Sequence, residues 1–252
     1  MNVDRALHDR LIEHAAARYR PAGRFAFHFA RGKLRRDPLF ETLLRVSAIP
    51  DAHRLVDLGC GQGLLGAWLA AWFALARRDG IEPRAPVIDE YCGVDRSKSD
   101  VARARLALPD ARIIEADLRS FDLSALAPCD VIALLDVLHY IEPDGQRRLL
   151  IDAHSALRDT GTLLMRIGDG SHASASRRAN GVDLIVCALR GQPRSRLYRR
   201  SVDEWTALLS ELGFDAEMLD DDRTRDGRKR KYSSFANVLL RATKRGALLR
   251  AK

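Results

Sequence analysis

The stretch Val56-Asp57-Leu58-Gly59-Cys60-Gly61-Gln62-Gly63 decides the fold of this 252-residue chain. An apolar run over residues 55–58 leads into three glycines at alternate positions, and a helical pattern follows from Leu64 to Ala76. This succession is typical of a strand, a tight turn and a helix, the opening unit of a nucleotide-binding α/β sheet. Glycines there allow a positive φ and a close approach of the backbone to a ligand. The stretch therefore predicts a ligand site at the carboxyl end of the first strand, beside Asp57.

The spacing of the glycines distinguishes between ligands. A dinucleotide fingerprint, G-x-G-x-x-G, would need its third glycine at position 64, which is Leu64. The pattern is instead Asp-x-Gly-x-Gly-x-Gly, and it resembles the first motif of the class I S-adenosylmethionine-dependent methyltransferases. A pyrophosphate is anionic and favours a bare helix N-terminus. The amino-acid end of S-adenosylmethionine carries a cationic amino group, for which an acid such as Asp57 is a suitable partner.

The resemblance implies an α/β fold with a seven-stranded Rossmann-like sheet. Such a sheet is mostly parallel, has an antiparallel C-terminal hairpin and carries helices on both faces. The remaining chain shows the matching alternation of apolar strand and helix patterns. Beyond the opening unit, the patterns predict strands at 91–95, 111–115, 131–135, 161–167, 214–219 and 233–242, and helices at 97–108, 144–157 and 202–212.

Acidic residues end or follow the next two predicted strands. In nucleotide-binding sheets the acid at the end of the second strand accepts hydrogen bonds from ribose hydroxyls, about 20 residues beyond the glycines. Here that acid is Asp95, 32 residues beyond Gly63, and an inserted loop over residues 78–90 is expected to account for the difference. Alternatively, Asp95 caps the following helix.

The resemblance also implies how the adenine is held. Asp117, after the third strand, matches the acid that contacts the adenine amino group, and the backbone of Leu118 helps to hold the ring. The full set of cofactor-binding residues that the resemblance implies is Asp57, Gly59, Cys60, Gly61, Gly63, Asp95, Arg96, Asp117, Leu118 and Asp136.

The chemistry of methyl transfer from a sulfonium requires mainly alignment of the reactants and exclusion of water. An oxygen acceptor benefits in addition from a base. His139 follows the fourth strand and has a suitable unperturbed pKa, and Tyr140 is a second catalytic candidate. The alternative for His139 is a packed side chain that hydrogen-bonds to the backbone. The motif Asn-Pro-Pro-Tyr, which marks methylation of base amino groups in this family, is absent after this strand.

Two regions lie outside the sheet pattern and are expected to wall the acceptor site. We predict an N-terminal helical cap over residues 1–50, followed by a cofactor-binding domain over 51–252 with a substrate-cap insertion at 168–200. Phe25, Phe27 and Phe29 in the cap favour a hydrophobic or aromatic acceptor. Alternatively, these rings attach the N-terminal helices to the sheet.

Composition and charge limit the kinds of protein that this chain can be. Hydrophobic residues make up 46% of the chain and charged residues 30%, which is typical of a folded domain. No stretch has the length of a membrane span and no apolar leader begins the chain, so a cytoplasmic location is expected. The net charge is +8, yet residues 223–252 alone carry eleven Lys and Arg against one acid. Basic segments of this kind attract acidic proteins or nucleic acid, or are simply solvated.

Three functions remain open from the sequence. The first is methyl transfer from S-adenosylmethionine to a hydroxyl or activated carbon of a hydrophobic small molecule. The segment 27–34, Phe-His-Phe-Ala-Arg-Gly-Lys-Leu, resembles methyltransferases of bacterial aryl-polyene clusters, which implies an acceptor carried by an acidic acyl carrier protein. The second is an RNA methyltransferase that uses the basic segments, and nucleic acid is the less favoured partner. The third is a cofactor-binding protein without catalysis.

Overall fold

The computed structural model describes residues 5–80, 85–168, 197–221 and 237–245. Its strands are β1 (Ala52–Leu58), β2 (Ile88–Asp95), β3 (Arg112–Glu115), β4 (Cys129–Leu135), β5 (Leu157–Gly168), β6 (Phe214–Asp221) and β7 (Asn237–Lys244). They form one seven-stranded sheet in the order β3-β2-β1-β4-β5-β7-β6. β1 is parallel to β2 and β4, and β2 is parallel to β3, whereas β7 is antiparallel to β5 and β6. The predicted mostly parallel sheet with an antiparallel C-terminal hairpin is confirmed.

Seven α-helices lie within the described residues. They are α1 (Arg5–Ala17), α2 (Arg24–Arg36), α3 (Pro38–Val46), α4 (Leu64–Asp79), α5 (Lys98–Ala107), α6 (Pro143–Ala156) and α7 (Val202–Glu211). The side chain of Asp37 accepts from the amide of Leu39 and starts α3. Ser97 caps α5 in the same way, and Ser201 forms a reciprocal capping box with Glu204 at α7. Each cap satisfies an amide that has no partner within the helix.

The connection between α4 and β2 is shorter than the loop expected over residues 78–90. The helix continues through Asp79 and ends at Gly80, whose φ of 60° suits a left-handed C-cap. The strand begins at Ile88, so Asp89 and Glu90 belong to it. Two adjacent acids are unusual in a strand, so the sequence pattern did not indicate one here. Both acids pair with basic residues of β1, Asp89 with His53 at 3.0 Å and Glu90 with Arg54 at 2.7 Å. The loop prediction was therefore wrong at both ends.

The chain divides into two compact units. The first contains residues 1–122 with 128–133, and the second contains residues 123–127 with 134–252. In the first unit, the N-terminal helices bury the residues that the helical spacing selects, namely Leu7, Leu11, Ala15 and Tyr19. Tyr19, Ala26 and Ala30 pack in one cluster with residues of α4 and α5. The boundary predicted between residues 50 and 51 stays a prediction.

In the second unit, α6 and α7 accompany strands β5 to β7. Trp205 of α7 and Phe214 of β6 are buried, and the ring of His154 on α6 meets that of Phe214 edge-on at 5.0 Å. Most of the predicted substrate-cap insertion, residues 169–196, lies outside the described residues, as do residues 233–236 of the last predicted strand. Across the described ranges, no helix combines the length and apolar character that crossing a bilayer requires.

Candidate active site

The glycine turn after β1 has the backbone that the sequence predicts. Gly59, Gly61 and Gly63 have φ values of 80°, 54° and 75°, a region that residues with a Cβ rarely adopt. At Gly63 a Cβ would also lie 2.8 Å from Cδ1 of Leu108, so this glycine is required for packing. At Gly61 a Cβ would meet no heavy atom within 4 Å. The turn therefore presents bare backbone to open space at Gly61, as a cradle for a bound ligand should.

Asp95 lies beside this turn despite its long separation in sequence. Its Oδ2 accepts a hydrogen bond from the Gly61 amide at 2.8 Å, and its Oδ1 accepts one from the Ser97 amide at 2.8 Å. Ser97, rather than Asp95, caps α5. The carboxylate thus fixes the turn at Gly61 and joins it to the start of α5.

Asp57 is a buried acid beneath the turn. Only 3% of the residue is exposed, and its Oδ2 accepts a hydrogen bond from the hydroxyl of Tyr91 at 2.6 Å. Burial raises the pKa of this carboxyl to about 7; the hydrogen bond from Tyr91 opposes the rise, and the nearby charge of Asp95 adds to it. An ionised Asp57 is therefore costly unless a cation balances it, and the amino group of S-adenosylmethionine would supply one.

Two further features of the turn, both at Gln62, were not predicted from the sequence. Tyr19, fully buried after α1, donates its hydroxyl to the carbonyl of Gln62 at 2.8 Å. The Oε1 atom of Gln62 is itself buried and has no hydrogen-bond partner within the described part of the chain. The open backbone at Gly61, the buried acid and this orphaned acceptor fit a polar cationic ligand such as S-adenosylmethionine.

The remaining residues expected at the cofactor differ in their surroundings. Cys60 is buried, and its amide and that of Gly59 both donate to the carbonyl of Val94. Asp117 follows β3 and is ion-paired with Arg119, which lowers the pKa of this acid to about 2. Leu118 is partly buried and Arg96 is exposed. The roles assigned to these side chains stay predictions.

The phenylalanines of α2 occupy two different environments. Phe25 is 64% exposed, stacks on Phe29 with ring centres 6.1 Å apart, and lies under the guanidinium of Arg103 at 5.1 Å. Phe27 packs against the buried cluster around Tyr19. At least Phe27 therefore attaches the helix to its neighbours, which was the alternative reading of these rings.

Asp136, His139 and Tyr140 belong to the second unit. Asp136 directly follows β4 and has a φ of 59°, a conformation that is strained for a residue with a side chain. Its Oδ2 accepts from Nη1 of Arg166 at 2.9 Å, and only 5% of the Arg166 side chain is exposed. This ion pair holds Asp136 in its strained conformation at the strand end.

His139 and Tyr140 lie in a short 3₁₀ turn, residues Leu138–Tyr140, with their rings 4.1 Å apart. The carbonyl of His139 accepts from the amide of Tyr198 at 2.9 Å. His139 and Arg166 also line a small cavity of about 10 Å³, which is room for one water molecule. His139 of this turn and the buried Arg166 of β5 therefore line the same cavity.

Gln146 of α6 holds this turn in place, and sequence reasoning missed it. The residue is fully buried, and its Nε2 donates to the carbonyls of Leu138 and Ile141, both at 3.0 Å. Its Oε1 accepts from Nε of Arg200 at 2.8 Å. A polar residue on the buried face of an amphipathic helix was the available signal, because buried amides are retained where they satisfy backbone groups.

Comparisons with known proteins indicate the family of the chain. A family model described as a methyltransferase domain matches residues 26–219. The chain is 39% identical over 90 residues to trans-aconitate 2-methyltransferase of Enterobacter sp. (strain 638), across 36% of this chain and 30% of that protein. The match covers only 30–31% of the length of the Enterobacter protein and of the Escherichia coli relatives of the same name.

Two solved structures show the same fold. One is magnesium protoporphyrin IX methyltransferase from Synechocystis PCC 6803 with bound S-adenosylhomocysteine, with 16% identity, a TM-score of 0.52, and coverage of 95% of this chain and 98% of that chain. The other is human N-acetylserotonin methyltransferase in complex with S-adenosylmethionine, with 15% identity, a TM-score of 0.55, and coverage of 92% and 56%. At these identities the likeness concerns the fold alone.

Proposed function

Because the chain belongs to the methyltransferase-domain family, we propose that it transfers the methyl group of S-adenosylmethionine to a small-molecule acceptor. The observation that carries this function is the glycine turn, which combines three positive φ values with open space at Gly61 and a buried acid below. The resemblance to class I S-adenosylmethionine-dependent methyltransferases is confirmed by the family match and the fold. What remains to be proposed is how the residues act and on which acceptor.

Three acids are proposed to hold the cofactor. Asp57 faces its amino group, because a buried carboxylate gains most from a cationic partner. Asp95 accepts from the ribose hydroxyls while it continues to fix the turn at Gly61. Asp117 accepts from the adenine amino group, and its low pKa keeps it ionised at any physiological pH. The turn supports the first two roles directly, since both acids lie against it.

When bound, S-adenosylmethionine supplies a methyl group activated by the positive sulfur. The protein's part is to align the acceptor and to take up its proton. For a hydroxyl acceptor, the imidazole of His139 in its neutral form accepts that proton. The Tyr198 amide and Gln146 support this role because they fix the backbone of the turn. For an activated carbon, or for a phenolate that arrives already ionised, alignment of the reactants alone suffices.

The acceptor class that we favour is a hydroxyl or activated carbon of a hydrophobic or aromatic molecule, free or carried by an acidic acyl carrier protein. A second candidate is a carboxylic acid. The relatives named trans-aconitate 2-methyltransferase act on such an acid by name. A carboxylate is already ionised and needs no base.

A matched acceptor panel distinguishes these functions. Release of S-adenosylhomocysteine is measured with phenols, with tricarboxylic acids, with carrier-bound acyl chains and with RNA. Turnover of phenols or carrier-bound chains that is lost in His139→Ala supports the first class. Turnover of acids that survives in His139→Ala supports the second. Binding of the cofactor with no turnover across the panel would contradict both and favour a non-catalytic binding protein.

A further inference from the structure

The hydroxyl of Tyr91 makes the shortest contact of the Asp57 carboxylate that the structure describes. Tyr91 lies in β2 directly opposite Leu55 of β1, two residues before Asp57. Its Oη donates to Asp57 Oδ2 at 2.6 Å, a distance typical of a hydrogen bond to an ionised oxygen. This contact stabilises the charged form of the acid, because a neutral carboxyl accepts hydrogen bonds less strongly.

Gly66 makes room for the Tyr91 ring. A Cβ at Gly66 would lie 2.7 Å from both Cε1 and Cζ of that ring, closer than atoms can approach. Gly66 lies within the first turn of α4, where glycine stabilises a helix less than alanine does, by up to about 1 kcal/mol in a helix interior. Glycine at position 66 thus makes α4 less stable than alanine would, but it leaves room for the ring of Tyr91.

We propose that Tyr91 is a positioning residue for the cofactor, whose hydroxyl holds Asp57 in its ionised form to receive the cofactor's amino group. The proposal concerns cofactor binding, and it does not depend on which acceptor is methylated or on His139. It rests on the cofactor role proposed for Asp57 and names the residue that stabilises the ionised form of this buried acid near neutral pH.

The other titratable groups around Asp57 do not provide this stabilisation. Asp95, from the end of β2, raises the pKa of Asp57 through repulsion. The hydroxyl of Tyr19 is committed to the carbonyl of Gln62. Burial raises the pKa of the neighbouring thiols Cys60 and Cys92, so both stay neutral. Tyr91 therefore remains as the donor that opposes the desolvation of Asp57.

The test is the pH dependence of ligand affinity, measured by calorimetry with S-adenosylhomocysteine between pH 5.5 and 9. Affinity of the unmodified protein should rise with pH through a midpoint near 7 and level off well above it, where Asp57 is fully ionised. In Tyr91→Phe the midpoint should move up by about one pH unit, which lowers affinity at pH 7 roughly fivefold and leaves it unchanged at pH 9. Asp57→Asn should bind weakly with no midpoint in this range.

Two controls make the result specific. Tyr19→Phe removes another buried hydroxyl, one that bonds the Gln62 carbonyl rather than Asp57, so its midpoint should equal that of the unmodified protein. Methylthioadenosine lacks the amino-acid group, so its affinity for the unmodified protein should not follow this titration. The comparison of the two ligands uses only the unmodified protein, so it tests the proposal even if Tyr91→Phe does not fold. An unchanged midpoint in folded Tyr91→Phe, or equal pH profiles for the two ligands, would overturn the proposal.

Discussion

The carboxylate of Asp95 accepts a hydrogen bond from the backbone amide of Gly61 at 2.8 Å. This contact joins the end of β2 to the middle of the glycine turn, and the same carboxylate bonds the Ser97 amide at the start of α5. Asp95 consequently fixes the glycine turn and the start of α5 with one carboxylate.

Replacement of Asp95 by Ala should weaken S-adenosylhomocysteine binding by roughly one to two powers of ten. Each charge-assisted hydrogen bond that is lost costs about 1–3 kcal/mol. Asp117→Ala should weaken binding to a similar degree if Asp117 holds the adenine. Calorimetric titration measures both. Normal affinity in Asp95→Ala would show that the contact with Gly61 has only a structural role.

The buried Asp57 should make the free protein less stable as the pH rises. The pKa of this carboxyl is about 7 in the folded protein, against 3.8 for an ordinary aspartate. Because the folded state binds the proton more tightly, the stability is fully present below pH 3.8 and is lost as the pH rises toward 7. The full effect is about 4 kcal/mol as an upper estimate.

Urea unfolding of the unmodified protein and of Asp57→Asn at pH 5 and pH 8 measures this effect without a ligand. The asparagine variant should lose less stability between the two pH values than the unmodified protein does. Identical pH dependence in the two proteins would mean that Asp57 does not titrate in this range.

Removal of the Gln146 side-chain amide should destabilise the turn that carries His139. In Gln146→Leu the buried carbonyl of Ile141 loses its hydrogen bond from Nε2, as does that of Leu138, and Arg200 loses its acceptor. We expect a loss of about 2–4 kcal/mol in the free energy of unfolding. Ser155→Ala on the exposed side of the same helix is the matched control, with an expected change within about 0.5 kcal/mol.

Loss of His139 should affect turnover rather than cofactor binding. With a hydroxyl acceptor, His139→Ala should lower turnover about 10²–10⁴-fold and abolish the rise of rate with pH, because only neutral imidazole accepts a proton. Cofactor affinity should stay nearly unchanged. Steady-state kinetics across pH gives both quantities. Full rate with an unchanged pH profile in the variant would leave His139 as a packing residue.

The sequence predicted the parts of the candidate site that depend on backbone conformation and strand order. Alternating glycines after an apolar run specify a turn with positive φ, and acids at the ends of parallel strands meet at one edge of the sheet. Asp57, Gly61 and Asp95 could therefore be named in advance, even though Asp95 lies farther along the chain than usual.

Contacts that depend on packing could not be predicted in this way. Tyr91 lies in a strand where an aromatic residue is unremarkable, and its partner Asp57 becomes apparent only through the strand register. Gln146 gave a weak signal as a polar residue on an otherwise buried helix face, but its partners follow only from the structure. For Tyr91 the available signal was Gly66, because a glycine inside a helix indicates a close neighbour without identifying it.

The central claim is that the glycine turn binds S-adenosylmethionine, and calorimetric titration of Gly61→Val tests it most directly. A branched side chain at Gly61 would enter the open space of the cradle and would also strain a φ of 54°. The matched control is Gly32→Val in α2, where a Cβ likewise meets no atom within 4 Å but φ is ordinary. We expect stoichiometric binding of S-adenosylmethionine to the unmodified protein and to Gly32→Val, and none to folded Gly61→Val. Unchanged affinity in Gly61→Val would contradict this claim.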